Sequence, residues 1–300
     1  MVQMAALIAG GVAWRWLRPG GLDADSVRGA ITALVYYLLL PALILSVLWQ
    51  APLGAESLRI ALAAGVGIIA MLGLAWAILR LAGAPAAMTG TLLLAAAWPN
   101  ATYLGLPVLE AAMGDWARRI AIQYDLFACT PLLMTVGILI ARHYGDRDDG
   151  GHAVTALLRV PPLWAAFAAA GLNAAGVPPP PALMDLLGDM GDGVPALMLL
   201  ALGMSLTWVG WHRALVPALA LVLILQLGLQ PLVVAEAAEA TGLTGAPLRG
   251  VILEGAMPTM VLGVVLCDRY GLDTGLYAQT VTVSTVASLA TTPLWFAFPV

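Results

Sequence analysis

The chain has 300 residues, 61% of them hydrophobic and only 10% charged, with a mean hydropathy of +0.93. Soluble domains carry about 45–50% apolar and about 25% charged residues, and a soluble exterior has too little polar cover for this much apolar side chain, so composition excludes a water-soluble globular protein. The net charge of −4, from 17 acids against 13 basic residues that are all Arg, is too small to imply nucleic-acid or strongly acidic partners.

The apolar runs are long and continuous, not the alternating segments of about ten residues that build a β-barrel. About 20 such residues take a helix across a ~30 Å hydrocarbon core. Spans are predicted at 2–17, 29–50, 60–80, 87–113, 117–141, 157–177, 193–211, 214–235, 247–269 and 274–298, ten in all. The first is short. Its start, Met1–Trp14, lacks a basic leader and a small-residue cleavage site, so it reads as a span and not as a signal peptide. The fourth and ninth spans are interrupted by proline and polar residues.

An even number of spans puts both termini on one side. One set of connections holds Arg15, Arg18, Arg28, Arg80, Arg142, Arg147, Arg159, Arg213 and Arg269, and the other holds Arg59, Arg118, Arg119 and Arg249. Nine against four places the first set in the cytoplasm. The expectation is a multi-pass protein of the cell (inner) membrane with N-terminus and C-terminus outside. The hydrophilic stretch from Arg142 to His152 lies between the fifth and sixth spans. It divides the chain into a first five-helix repeat over 1–141, a cytoplasmic linker over 142–156 and a second repeat over 157–300. His143, Asp146, Asp148, Asp149 and His152 are read as a solvated loop, not a metal site. Cys129 and Cys267 lie in apolar runs and are read as buried small hydrophobes.

With five spans in each half, the second half starts on the opposite side from the first, so any structural repeat is inverted. Carriers built this way bind at the midplane, where paired helices are broken. Both halves have such a break. The fourth span contains Trp98-Pro99-Asn100-Ala101-Thr102, and the ninth contains Glu254-Gly255-Ala256-Met257-Pro258-Thr259. The offset of the two prolines, 258 − 99 = 159, carries Pro41 in the second span onto position 200 in the seventh, and Gly114 to within two residues of Gly271. Proline removes an N–H and clashes with the carbonyl four residues back. Freed backbone groups in lipid cost several kcal/mol each, and they persist only where protein, water or ligand supplies partners. The N-terminal ends of half-helices favour anions, and opposed carbonyls favour cations.

PNATYLGLPVLEAAMG (99–114) resembles the fourth-span motif of the auxin efflux carrier family, and LEGAMPTMVLGVVLCDRYGLD (253–273) resembles its ninth-span motif. VYYLLLPALILS (35–46) and ALMLLALGMSL (196–206) are weaker matches in the second and seventh spans. The resemblance implies an all-α membrane protein of ten transmembrane helices, arranged as two inverted five-helix repeats with crossover helices 4 and 9. A scaffold and a transport bundle would move against each other. It also implies a small organic anion as substrate: a carboxylate, malate- or malonate-like in bacterial members and auxin in plants. Asn100 matches the position expected to meet the substrate carboxylate. Four residues after Pro258 the family often has Asn, where this chain has Leu262. The broad fold is shared with bile acid:sodium symporters, whose ninth span carries a Glu before the crossover, and Glu254 stands similarly. The alternative function is therefore a sodium-coupled symporter of a larger amphipathic anion of bile-acid type.

Each intramembrane polar residue has a functional and a structural reading. Substrate-binding candidates are Asn100, Pro99, Thr102, Pro258, Thr259 and Tyr36, with aromatic packing the alternative for Tyr36 and Tyr37. Glu254, one turn before Pro258, costs about 2.5–3.5 kcal/mol or more at that depth unless paired, protonated or cation-bound. It is read as a sodium or proton site, or else as a hydrogen bond to broken backbone. Asp125 is placed near the crossing by hairpin geometry, either facing Asn100 or bonded to its neighbours Gln123 or Tyr124. It maps by the offset onto Ser284, in a run of hydroxyls that more often bond back to their own helix. Glu110 and Asp115 are boundary residues. No cofactor is expected beyond a coupling sodium ion or proton, and no metal beyond sodium. The partners expected are the organic anion, membrane lipid and a second copy of the chain as a homodimer, with no nucleic acid. No GxxxxGK[ST] or HExxH motif occurs, and His143, His152 and His212 lie in loops or at a span end, so an ATP-driven pump or an intramembrane enzyme is not expected.

Overall fold

A computed structural model of the chain describes residues 2–51, 53–147, 158, 160–206 and 212–299, and among these every regular element is helical. In chain order they are α1 (Val2–Leu17), α2 (Ala24–Leu48), α3 (Ala55–Leu81), α4 (Ala86–Ala97), α5 (101–113), α6 (Asp115–Tyr144), α7 (Pro161–Ala174), α8 (Pro181–Ser205), α9 (Arg213–Ala240), α10 (Gly245–Gly255), α11 (Gly263–Tyr270) and α12 (Thr274–Phe296). By length and apolarity α2, α3, α6, α8 and α9 are each able to cross a membrane. The chain is a multi-pass helical membrane protein.

The two predicted interruptions are real. Helix stops at Ala97 and resumes at Ala101, and stops at Gly255 and resumes at Gly263. Other boundaries differ from expectation too: α2 and α3 each begin five residues before the predicted spans, and α9 ends five residues after its own. α8 begins at Pro181, not at 193, because a search for uncharged windows misses an amphipathic helix. Asp185, Asp189 and Asp192 occupy its exposed face, while Leu187 and Gly191 are buried. α6 continues to Tyr144, so the first residues assigned to the linker are helical, with Arg142 and His143 in the last turn, where cations complement the helix dipole. Residues 148–156 of the expected linker, 157 at the start of the sixth span and 207–211 at the end of the seventh lie outside the described residues.

Packing sorts most of the helices into two groups, which meet where α5 packs on α8. α1 lies along α8, while α2 packs on α7 and α8. In the other group α3 packs on α4 and α9, α6 on α10 and α5, and α12 on α4 and α9. The α1–α8 seam is closed by glycine. A Cβ on Gly11 would stand 2.7 Å from the Met204 nitrogen and 2.8 Å from Gly203 Cα, so the backbones touch in a way only glycine permits. Cys129 and Cys267 are both buried and free, as read.

Candidate functional site at the helix crossing

Wide helical turns carry three of the candidate residues, Tyr36, Thr102 and Asp125, and a proline follows four of the five such turns. The N–H groups of Leu40, Leu106, Thr130 and Gln230 bond to the carbonyls of Val35, Ala101, Asp125 and Leu225, each five residues back. Each donor immediately precedes a proline: Pro41, Pro107, Pro131 and Pro231. A proline ring clashes with the carbonyl four residues back, and opening the turn to a five-residue bond relieves the clash. The displaced carbonyl then needs another donor. At Pro231 it is Leu227, whose oxygen accepts the Trp295 indole N–H at 2.7 Å. Such π turns concentrate at functional sites, and here they contain Tyr36, Thr102, Asp125 and Gln226. A fifth wide turn, Leu133–Gly137, has no following proline. There Thr135 turns its hydroxyl back onto the Pro131 carbonyl at 2.7 Å.

The two breaks cross and bond to each other. Asn100 donates its backbone N–H to the Pro258 carbonyl at 2.7 Å, and Met260 donates to the Trp98 carbonyl at 2.9 Å. Pro99 and Thr259 thus form one antiparallel bridge. Neighbouring side chains satisfy the carbonyls the breaks release. The Thr259 hydroxyl donates to Ala95 O at 2.9 Å, Gln230 Nε2 to Ala97 O at 3.0 Å, Gln226 Nε2 to Met257 O at 3.1 Å, and the Tyr277 hydroxyl to Met260 O at 2.7 Å. Ser284 accepts the Thr259 N–H and donates to Val281 O, both at 3.2 Å. Thr280, Thr282 and Ser288 bond back to their own helix. In this structure Pro99, Pro258, Thr259 and Ser284 build the crossing.

Gln226 and Gln230 are fully buried, and the sequence reading passed over them. Their signal was present: two amides four residues apart, hence on one face of a helix, inside an otherwise apolar span.

Asn100 and Glu254, at the crossing, have no side-chain partner among the described residues, and the buried hydroxyls of Tyr124 and Thr285 are likewise unpaired there. Asn100 is 1% exposed, and both atoms of its amide lack a hydrogen bond. Glu254 is 0% exposed, and both its carboxyl oxygens are unpaired, so the broken backbone does not hold its side chain. Its carboxyl group lies against Gly105 in the wide turn of the other break, where an added Cβ would come within 2.7 Å of Glu254 Cδ. Buried polar groups are nearly always paired, and the unpaired Asn100 amide and Glu254 carboxyl at the two breaks mark a place that a ligand or ion would complete.

Asp125 does not bond to Gln123 or Tyr124. Its carboxyl accepts hydrogen bonds from the hydroxyls of Thr102 and, at 3.2 Å, Thr130. Tyr36, Thr102, Tyr103, Asp125 and Thr130 line one small cavity of about 40 Å³, together with Met134, Met198 and Leu262. Tyr36 therefore faces this cavity as well as packing edge-on against Tyr37, their ring centroids 5.2 Å apart. Asn100 is not on the cavity wall. At the end of α5, Glu110 pairs with Arg118 at 2.7 Å. Asp115 reaches the same guanidinium at 4.0 Å, which makes both acids boundary residues. Arg118 also meets Asp192 of α8 at 2.9 Å, linking the two helix groups.

The profile of a family described as membrane transport protein matches residues 3–296. A protein of Methanothermobacter thermautotrophicus described as an uncharacterized transporter is 27% identical over 277 residues, covering 92% of this chain and 90% of that protein.

Proposed function

Because this chain belongs to the membrane transport protein family, we propose that it is a secondary carrier of a small organic anion, working by alternating access around the crossing of its two broken helices. The observation that carries this reading is the unpaired amide of Asn100, buried where two helix breaks meet. An amide offers two N–H donors, and the start of α5 beside it adds positive helix-end character. Both suit a carboxylate. The reading takes the helices as ten passes in two inverted five-helix repeats, 1–141 and 157–300 around the linker, with both termini outside. α1, α2, α7 and α8 form the scaffold, and the remaining helices form the moving bundle.

Coupling rests on Glu254. A buried acid with no side-chain partner is costly when charged, and a bound sodium ion or a proton removes that cost. Asp125, on the cavity wall with Thr102 and Thr130, is a second proton or cation candidate. The alternative, sodium-coupled uptake of a larger amphipathic anion, draws on the same unpaired Glu254.

Uptake into proteoliposomes tests the proposal. Asn100→Ala should raise the half-saturation concentration about tenfold or more, equivalent to about 1.4 kcal/mol, with unchanged folding. Unaltered kinetics would remove Asn100 from the site. In the same assay Glu254→Gln should abolish sodium dependence if sodium is coupled, or pH dependence if a proton is. A Glu254→Gln protein with normal sodium and pH responses would make the carrier an uncoupled facilitator.

A further inference from the structure

The cavity at Asp125 and a wider cleft share part of their lining. Tyr36, Met134 and Leu262 line both, and the cleft extends along α2 past Tyr37, Thr32, Gly29 and Arg28. Thr32 and Arg28 stand four and eight residues before Tyr36, so the three share one helix face spanning about 12 Å. The opposite wall is apolar: Leu262, Val265 and Leu266. Arg28 is the cation on this wall, and its charge is under-matched. Its acid, Asp25, lies 3.5 Å away and is already held by Arg15 at 2.8 Å. Arg28 Nε is buried with no hydrogen-bond partner among the described residues. Arg15 is further committed to the Met204 carbonyl at 2.6 Å. Two guanidinium groups thus share one carboxylate, which leaves excess positive charge at the cleft.

We propose that Arg28 is a docking site for the organic anion. Its guanidinium takes the carboxylate at the mouth of the cleft, while the apolar body of the ligand lies against Leu262, Val265 and Leu266. Thr32 and Tyr36 then mark the path to the inner cavity. This deepens the carrier reading and rests on it. Guanidinium groups bind carboxylates through paired N–H donors, and a partly exposed cation focuses anions in a manner that salt screens. The ligand class follows from the lining: one anionic head on an apolar body is favoured over a compact dianion, because the inner end of the path holds the acid Asp125 and not a second cation.

Purified full-length protein in neutral detergent is titrated with benzoate, with the neutral isostere benzamide and with succinate, reading thermal stabilisation, since a ligand of the folded state raises stability. Benzoate should stabilise the wild type more than succinate does, and benzamide should not. Arg28→Gln should raise the half-saturating benzoate concentration about tenfold and flatten its dependence on ionic strength. Asp25→Asn, which removes the acid that Arg28 shares with Arg15, should lower it severalfold. This opposite sign separates anion docking from mere damage to the Arg15–Asp25–Arg28 cluster. A wild type that responds to benzoate while both variants respond equally overturns the docking site and leaves the carrier reading intact. A wild type insensitive to both anions overturns both. Competition of benzoate by added phosphatidylglycerol would reassign Arg28 to a lipid headgroup and also overturn the proposal.

Discussion

Removing the amide that caps the first break should destabilise the protein by an amount the structure sets. In wild type Gln230 Nε2 donates to Ala97 O at 3.0 Å, in a layer where both residues are fully buried. Gln230→Met keeps the volume and removes the donor. The carbonyl at the end of α4 then has no replacement donor on that side, a loss worth about 1–3 kcal/mol for a buried group. Part returns, because Gln230 Oε1 is itself buried without a partner and its desolvation is relieved. Hydrogen bonds between membrane helices also average less than 1 kcal/mol in double-mutant cycles. The net expectation is about 1 kcal/mol, or a fall in Tm of about 2–4 °C at this chain length. Cys129 and Cys267 are both buried and free, so a fluorogenic thiol reagent reports unfolding directly. Gln226→Met, which removes the donor to Met257 O at 3.1 Å, should behave alike at the second break. Because the two amides stand four residues apart on one helix face and serve breaks that bond to each other, the effect of the double variant should differ from the sum of the single effects. A Gln230→Met protein that melts at or above the wild-type temperature would show that the break does not depend on this amide.

The α1–α8 seam should be intolerant at one glycine and indifferent at its neighbour. Gly203→Val should lower Tm by more than the glutamine variants, because even the first carbon meets Gly11 Cα and the Ile8 backbone, whereas Gly10→Ala meets only Leu200 Cδ1 at 3.7 Å. At the end of α5, Arg118→Met leaves the partly buried Glu110 without its cation and should cost about 1–3 kcal/mol, read by the same thiol assay. Asp192→Asn removes a partner whose side chain is 65% exposed and should change stability by less than about 0.5 kcal/mol. Gly105→Ala should impair transport more than stability, since its Cβ would displace the Glu254 carboxyl. Equal transport by that variant would disconnect Glu254 from the transport cycle.

The sequence by itself determined the class of protein and the position of its breaks. Sixty-one per cent apolar residues cannot be covered in water, and Pro99 and Pro258, each with polar neighbours in matching spans, pointed to the two breaks. Proline spacing even contained the wide turns: each of Pro41, Pro107, Pro131 and Pro231 stands two residues after one. That is local sterics, which a sequence carries in full. Tertiary structure decided which polar groups are satisfied. Thr259, Ser284, Gln226, Gln230 and Asn100 look equivalent in the sequence, since all are polar side chains buried in apolar spans. Only the crossing of α4–α5 with α10–α11 assigns the first four to backbone groups and leaves the Asn100 amide and the Glu254 carboxyl without partners. Hydrogen-bond satisfaction depends on distances of about 3 Å between residues as far apart as Ala95 and Thr259, and no local pattern encodes such a distance. Arg28 shows the same division: the sequence placed it by charge at a membrane boundary, and the fold set it on the cleft that shares lining with the cavity at Asp125.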